Sequence, residues 1–226
     1  MEINEFLKEL AFDIRLFSRL AKKELDKESI EALKNSNFPL SLCLDLNDEP
    51  IANNFNDMKS YLEKLDLDNI DELLAEYAAI FLNNRYDVCA DESAWIDEDG
   101  LIMQSSTLEI RKIYEKYNLK TDNKNISEDN LSNQLEFIAY LFDNGAEVTN
   151  LYEVCDFMDK HLLVWFGEFS TAIYQRCEND FYASTIALNY IYMVKIRELL
   201  ADILNKPVNI LELKKAQDKA KAKKAC

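Results

Sequence analysis

Glycine and proline are scarce in this sequence, with three of each in 226 residues. Sheets, barrels and phosphate-cradling loops need these residues as frequent turn punctuation, so the shortage points to helices joined by short links. Histidine is scarcer still: His161 stands alone, which removes the histidine-rich zinc and di-metal hydrolase sites. The five cysteines, Cys43, Cys89, Cys155, Cys177 and Cys226, form no CxxC pair. A tetrathiolate site is therefore excluded, and free thiols in a reducing compartment are expected. Gly100, Gly145 and Gly167 build no GxxxxGK[ST], GxGxxG or GxSxG motif. The run DEDG at 97–100 hints at a calcium loop, but with Gly100 in the sixth place Trp95 falls first and Ser106 last, where carboxylates are required. The expectation is a protein without metal or cofactor, and not an enzyme.

Positive charge is also short. Against 42 acidic side chains stand 26 Lys and Arg, a net of −16. Residues 214–226 hold six lysines and one aspartate, so that end carries +5 and residues 1–213 carry −21. Nucleic acid is an improbable partner for such a body, because its binding depends on neutralising phosphates with clustered cations. A basic partner is the electrostatically favoured one. Long apolar runs are missing as well. The longest uncharged stretch, Phe181–Val194, has 14 residues, too few for a membrane span. The start, MEINEFLKEL, is acidic where a secretory signal needs a basic region. Cytoplasmic residence follows as the expectation.

What is present is helical periodicity. Ile3, Phe6, Leu7, Leu10, Ile14, Phe17 and Leu20 recur at three- and four-residue steps and predict a helix over 2–25. Further helices are predicted at 27–35, 54–65, 69–83 (capped by Asp68 or Asn69), 106–118, 129–143, 147–163, 165–178, 180–203 and 207–220, with an irregular stretch from Asn83 to Met103. FYASTIALNYIYMV is apolar nearly all round and predicts a buried central helix. The polar segment 121–130 lacks a hydrophobic period and reads as a hinge. The fold class is thus all-α: a two-lobed bundle of about ten helices, with lobes at 1–120 and 131–213, a hinge and acidic loop at 121–130, and a basic tail at 214–226.

Three stretches carry more specific information. The first is EYAAIFL (Glu76–Leu82) with DESAWIDEDGLIMQSSTLEIRKIY (Asp91–Tyr114). The second is SEDNLSNQLEFIAYL (Ser127–Leu141), and the third HLLVWFGEFSTAIYQRCENDFYASTIALNYIYM (His161–Met193). In this order and spacing they resemble the TorD/DmsD family of redox-enzyme maturation chaperones. That family shows a tyrosine-rich helix, an ESVY-like loop, a T-x-E-[VI]-R-x-x-Y helix, an acidic D-H-[IL] segment and an H-L-x-x-W-x-x-x-F segment. The chain departs from the pattern at Asn130 (family His), Gln134 (family Glu), Asp91 (family Pro) and Trp95 (family Tyr).

The resemblance implies a TorD-like fold, monomeric or dimeric by exchange of lobes. It also implies a cytoplasmic chaperone that binds the twin-arginine leader and apoprotein of a molybdoenzyme before export. The residues suit such a partner. Adjacent arginines call for carboxylates, and the apolar stretch of a leader calls for an aromatic and aliphatic groove. The chain has 11 Tyr, 12 Phe and two Trp beside its excess acid. Candidate peptide-binding residues are Glu92, Trp95, Glu128, Asp129, His161, Trp165, Glu168 and Phe169; the last-named His161, Trp165, Glu168 and Phe169 fall on one helical face. Each has a structural alternative: Trp95 as a loop anchor, Glu128 and Asp129 as helix caps, His161 and its neighbours as core. Glu76, Tyr77 and Phe81 read as core. The rival function is an acidic helical interaction or regulatory protein with no leader-binding role.

Overall fold

The computed structural model describes residues 3–210 except 84, 122 and 124. The chain folds into α1 (Ile3–Lys22), α2 (Lys27–Asn35), a 3-10 turn (Pro50–Asn54), α3 (Phe55–Lys64), α4 (Asp71–Phe81), α5 (Ser93–Ile96) and α6 (Ser105–Lys116). It continues with α7 (Leu131–Asp143), α8 (Val148–Phe157), a π turn (Met158–Leu162), α9 (Leu163–Arg176) and α10 (Asp180–Leu204). Among the described residues there is no strand; one isolated antiparallel bridge joins Asp91 to Asn130. The fold is all-α, as the composition predicts. The basic tail and all but the first four residues of the helix expected at 207–220 lie outside the described residues.

The apolar period of α1 does what its spacing requires: Leu7, Leu10, Ile14, Phe17 and Leu20 are buried. This face lies against α7, the most extensively packed pair in the molecule. The two helices run antiparallel. Asn4 accepts from the Ala146 N–H (3.1 Å), Arg15 reaches Asp143 (2.5 Å) and Glu136 (3.0 Å), and the buried Ser18 hydroxyl donates to the Ser132 carbonyl (2.8 Å). The buried apolar side chains form one cluster, with members from Leu7 to Leu200, so the segments assigned to two lobes share it.

Two local expectations differ from the structure. The N-cap of α4 is Ile70, with no side-chain cap. Asp68 instead pairs with Lys27 (2.7 Å), and the Asn69 N–H bonds back to the Asp66 carbonyl, so neither residue is placed to cap. The break expected near 164 is a π turn over Met158–Leu162, through which α8 passes into α9. The extra residue in such a turn rotates the side chains that follow it.

The π turn places Asp159 against Arg197 of α10. The guanidinium is fully buried and makes a bidentate pair at 2.7 and 2.8 Å, and its remaining N–H groups reach the carbonyls of Lys206 (3.2 Å) and Pro207 (2.9 Å). α9 also approaches α10 closely at Gly167, where a Cβ would lie 2.9 Å from the Tyr190 hydroxyl. A buried charge left without its partner is far costlier than the pair is stabilising. Arg197→Met is therefore expected to lower the unfolding free energy by about 3–5 kcal/mol in urea titrations. The double variant Asp159→Leu/Arg197→Met is expected to regain most of that loss.

Candidate peptide-binding site

The long connection between α4 and α6 is tied down at both ends. At its start, buried Glu76 of α4 accepts from the Tyr86 hydroxyl (2.6 Å), the Cys177 thiol (2.8 Å) and the Glu178 N–H (3.2 Å). Burial opposes its charge, but these donors prevail and hold the carboxyl below its ordinary range. Farther on, 89–93 runs beside 127–131. The Leu131 N–H donates to the Ala90 carbonyl (2.7 Å) and the Glu92 N–H to the Asp129 carbonyl (3.1 Å). Asp91 accepts from the Ser127 hydroxyl, the Asn130 amide and the Cys89 thiol. The second half of the expected hinge is thus bonded into this seam.

Asp129 is completely buried. One oxygen accepts from the Ser93 N–H at 2.8 Å, at the first residue of α5, and the other has no hydrogen-bond partner. The cap of α7 is Asn130, whose side chain accepts from the Ser132 N–H (3.1 Å) and hydroxyl (2.8 Å). Neither Glu128 nor Asp129 takes the capping role on α7. Asn130 suits the position where the family pattern has histidine, because its carbonyl caps the helix while its amide reaches Asp91.

Behind the seam lies a buried polar chain. Glu92 is 2% exposed; Oε2 accepts from the Gln134 amide (2.6 Å) and Oε1 lies 3.2 Å from His161 Nδ1. The same Gln134 amide donates to the Asp129 carbonyl (3.1 Å), and its oxygen accepts from the Trp165 indole (3.4 Å). Burial, then the nearby Asp129 charge, push the Glu92 carboxyl well above its usual range. Burial pushes His161 down to about 4. Both groups favour their neutral forms, and a protonated Glu92 Oε1 can donate to unprotonated Nδ1. Gln134 fits this chain because it supplies donors toward Glu92; a carboxylate there would face Glu92 and Asp129 with acceptors alone.

The remaining candidates lie outward. Trp95 is half-buried; its indole donates to the Cys89 carbonyl (2.7 Å) and its ring meets Phe169 edge-on at 6.3 Å. Phe169 in turn packs on Trp165 at 5.8 Å. Glu128 forms a forked pair with Arg111 of α6 (2.8 and 3.0 Å), which holds its carboxyl below the ordinary range. Glu168 is exposed on α9. The structure therefore gathers Glu92, Asp129, His161, Trp165, Phe169 and Trp95 into one assembly and leaves outside it the half-buried Glu128, paired with Arg111, and the exposed Glu168. Within the assembly, Asp129, Trp165 and Phe169 have no exposed surface to offer. Gln134, the hub, is absent from the sequence-based candidates. Its sequence signals are its place where the family pattern has glutamate and its spacing, four residues after Asn130 on the buried face of α7.

Residues 45–171, more than half of the chain and the span holding this whole assembly, match the model of the nitrate reductase delta subunit family. The chain belongs to that family of TorD-like chaperones. Its members mature molybdoenzymes of the nitrate reductase kind rather than catalyse a reaction. No curated protein matches the chain. Among solved structures, a redox enzyme maturation protein from Archaeoglobus fulgidus is similar, with a TM-score of 0.52 and 19% identity, over 83% of this chain and 93% of that one. At that identity the likeness concerns the fold alone. No helix among the described residues is long and apolar enough to cross a membrane.

The neutral burial of His161 has a measurable consequence. A histidine whose pKa is depressed on folding stabilises the protein above its unfolded pKa, and that contribution drains away as pH falls from about 6.5 toward 4. Between pH 7 and pH 5 the protein should lose about 2 kcal/mol more stability than His161→Gln, as read by urea unfolding at both pH values.

Proposed function

We propose that this chaperone works in the cytoplasm, where it binds the twin-arginine leader and the apoprotein of a molybdenum-cofactor oxidoreductase and keeps them until the cofactor is inserted before export. The observation that carries this reading is family membership over the span that contains the acidic loop and its seam. The charge supports it: a protein at −16 favours a basic segment and repels anionic competitors. The eight candidate residues then divide by role. Glu168, at the surface, offers a carboxylate to guanidinium groups, Glu128 takes one only in exchange for Arg111, and Trp95 offers the edge of a ring. Glu92, Asp129, His161, Trp165 and Phe169 position the loop from beneath. The working form is a monomer or a dimer that exchanges lobes through 121–130. Exchange has to break the bonds from 127–131 to 90–93 first.

Calorimetry with a synthetic leader is the test. Binding is expected in the micromolar range, about −8 kcal/mol, as suits a partner that must be released. Affinity should fall with salt, and changing both arginines to lysine should weaken it because lysine cannot form the planar fork. Glu168→Gln should cost about 1–3 kcal/mol if it accepts a charge-assisted bond. Binding indifferent to salt, to the arginines and to this carboxylate leaves the acidic interaction protein as the better description.

A further inference from the structure

Some large apolar side chains that face solvent stand singly, as at Phe12, Leu40 and Leu82, and Val148 and Tyr152 stand one turn apart on α8. The longest unbroken run of them follows Gly100. Leu101, Ile102 and Met103 are 58%, 50% and 57% exposed, and Leu108, in the first turn of α6, is 50% exposed. Contiguous exposed apolar surface on a soluble fold marks a contact site more often than scattered residues do. This one is also held in place. Gly100 and Met103 both take left-handed backbone (φ +61° and +60°), the Gly100 N–H bonds back to the Asp97 carbonyl (3.2 Å), and the Gln104 amide donates to the Ile102 carbonyl (3.2 Å). Asp97 accepts from the Ser105 hydroxyl and from the Ser106 hydroxyl (2.7 Å), fixing the start of α6. The Leu108 N–H bonds to the Gln104 carbonyl (3.3 Å), so Leu108 stands one helical turn beyond the loop. The seam to 127–131 fixes the other side.

The rim decides what covers this ridge. Glu98, Asp99 and Glu109 are exposed around it, and Glu98 and Asp99 form no ion pair with any described residue. Apolar surface beside unpaired acid fits a segment that carries cations next to apolar residues. A second copy of this chain would bring its own acids against these, and a nucleic acid or an anionic membrane would be repelled in the same way.

We propose that Leu101, Ile102, Met103 and Leu108 seat the apolar stretch that follows the arginine pair of a bound leader, with Glu98, Asp99 and Glu109 facing its cations. The inference rests on the leader-binding reading and adds the contact surface, which the eight candidate residues do not include. Burying these side chains removes apolar area from water on both partners, a contribution that salt does not screen.

The test uses the full-length chain and two synthetic peptides: a leader with an arginine pair followed by a leucine-rich stretch, and the same peptide with those leucines changed to serine. Calorimetry compares the wild type, Leu101→Ser/Met103→Ser, and Val148→Ser as a control for exposed apolar surface elsewhere, with circular dichroism verifying helix content. The double variant should bind the leucine peptide at least tenfold more weakly than the wild type. It should bind the serine peptide as the wild type does, and Val148→Ser should bind both peptides normally. Glu98→Gln/Asp99→Asn should flatten the salt dependence. Wild-type binding that the double variant reproduces overturns the ridge and leaves the function standing. A wild type that binds neither peptide overturns both. Sedimentation equilibrium showing a dimer that Leu101→Ser/Met103→Ser abolishes also overturns the ridge, because a second copy then covers it.

Discussion

The antiparallel seam between 89–93 and 127–131 is the constraint on which the rest of the site depends. Two segments far apart in the chain, neither of them regular, are joined through backbone pairs at Ala90–Leu131 and Glu92–Asp129. The fully buried Asp129 carboxylate stands across the seam from α5 and receives its first N–H. A carboxylate with so little solvent is costly unless its charge is answered, and here a helix N-terminus answers one oxygen only. The seam keeps that arrangement closed. It also sets the direction in which the loop leaves, toward Gly100 and the exposed apolar residues.

Behind the seam, proton placement follows from the same burial. Glu92 and Asp129 approach each other where solvent cannot screen them, and the result is a Glu92 carboxyl raised well above its normal range. His161, equally buried, is driven the other way. One proton on Glu92 then satisfies both groups without any net charge, and Gln134 completes the chain with donors for Glu92 and the Asp129 carbonyl and an acceptor for Trp165. Low dielectric makes such a network strongly specifying when every member is satisfied. The orphaned oxygen of Asp129 is the one member that is not.

The π turn joins this chemistry to the helical frame. A regular helix from α8 into α9 would not place both His161 and Asp159 as they stand. The extra residue turns Asp159 toward Arg197 while His161 faces Glu92. α10, anchored through Arg197 and packed closely at Gly167, holds α9 in position. The aromatic path Trp95–Phe169–Trp165 then connects the loop to the interior.

The sequence by itself determined the helical class, the place of nearly every helix and the acidic character, because periodicity, scarce glycine and charge are local properties that burial amplifies. The family pattern in the three stretches was legible for the same reason: it is written in side chains at fixed spacing along the chain. Which polar residues would be buried was not local. Asp129 and Asn130 are neighbours of similar chemistry, yet one caps α7 and the other answers α5, a choice made by the distant 90–93 segment. Periodicity placed His161, Trp165, Glu168 and Phe169 on one face, but a helix has no record of what covers that face; α7 and the loop bury three of them and leave Glu168 outside. The exposure of Leu101–Met103 was equally unreadable, since an apolar run in an irregular segment looks like core until left-handed turns at Gly100 and Met103 and the bonds from Ser105 and Ser106 to Asp97 face it to solvent. Tertiary structure decided these points because desolvation and hydrogen-bond satisfaction are settled between segments, not along them.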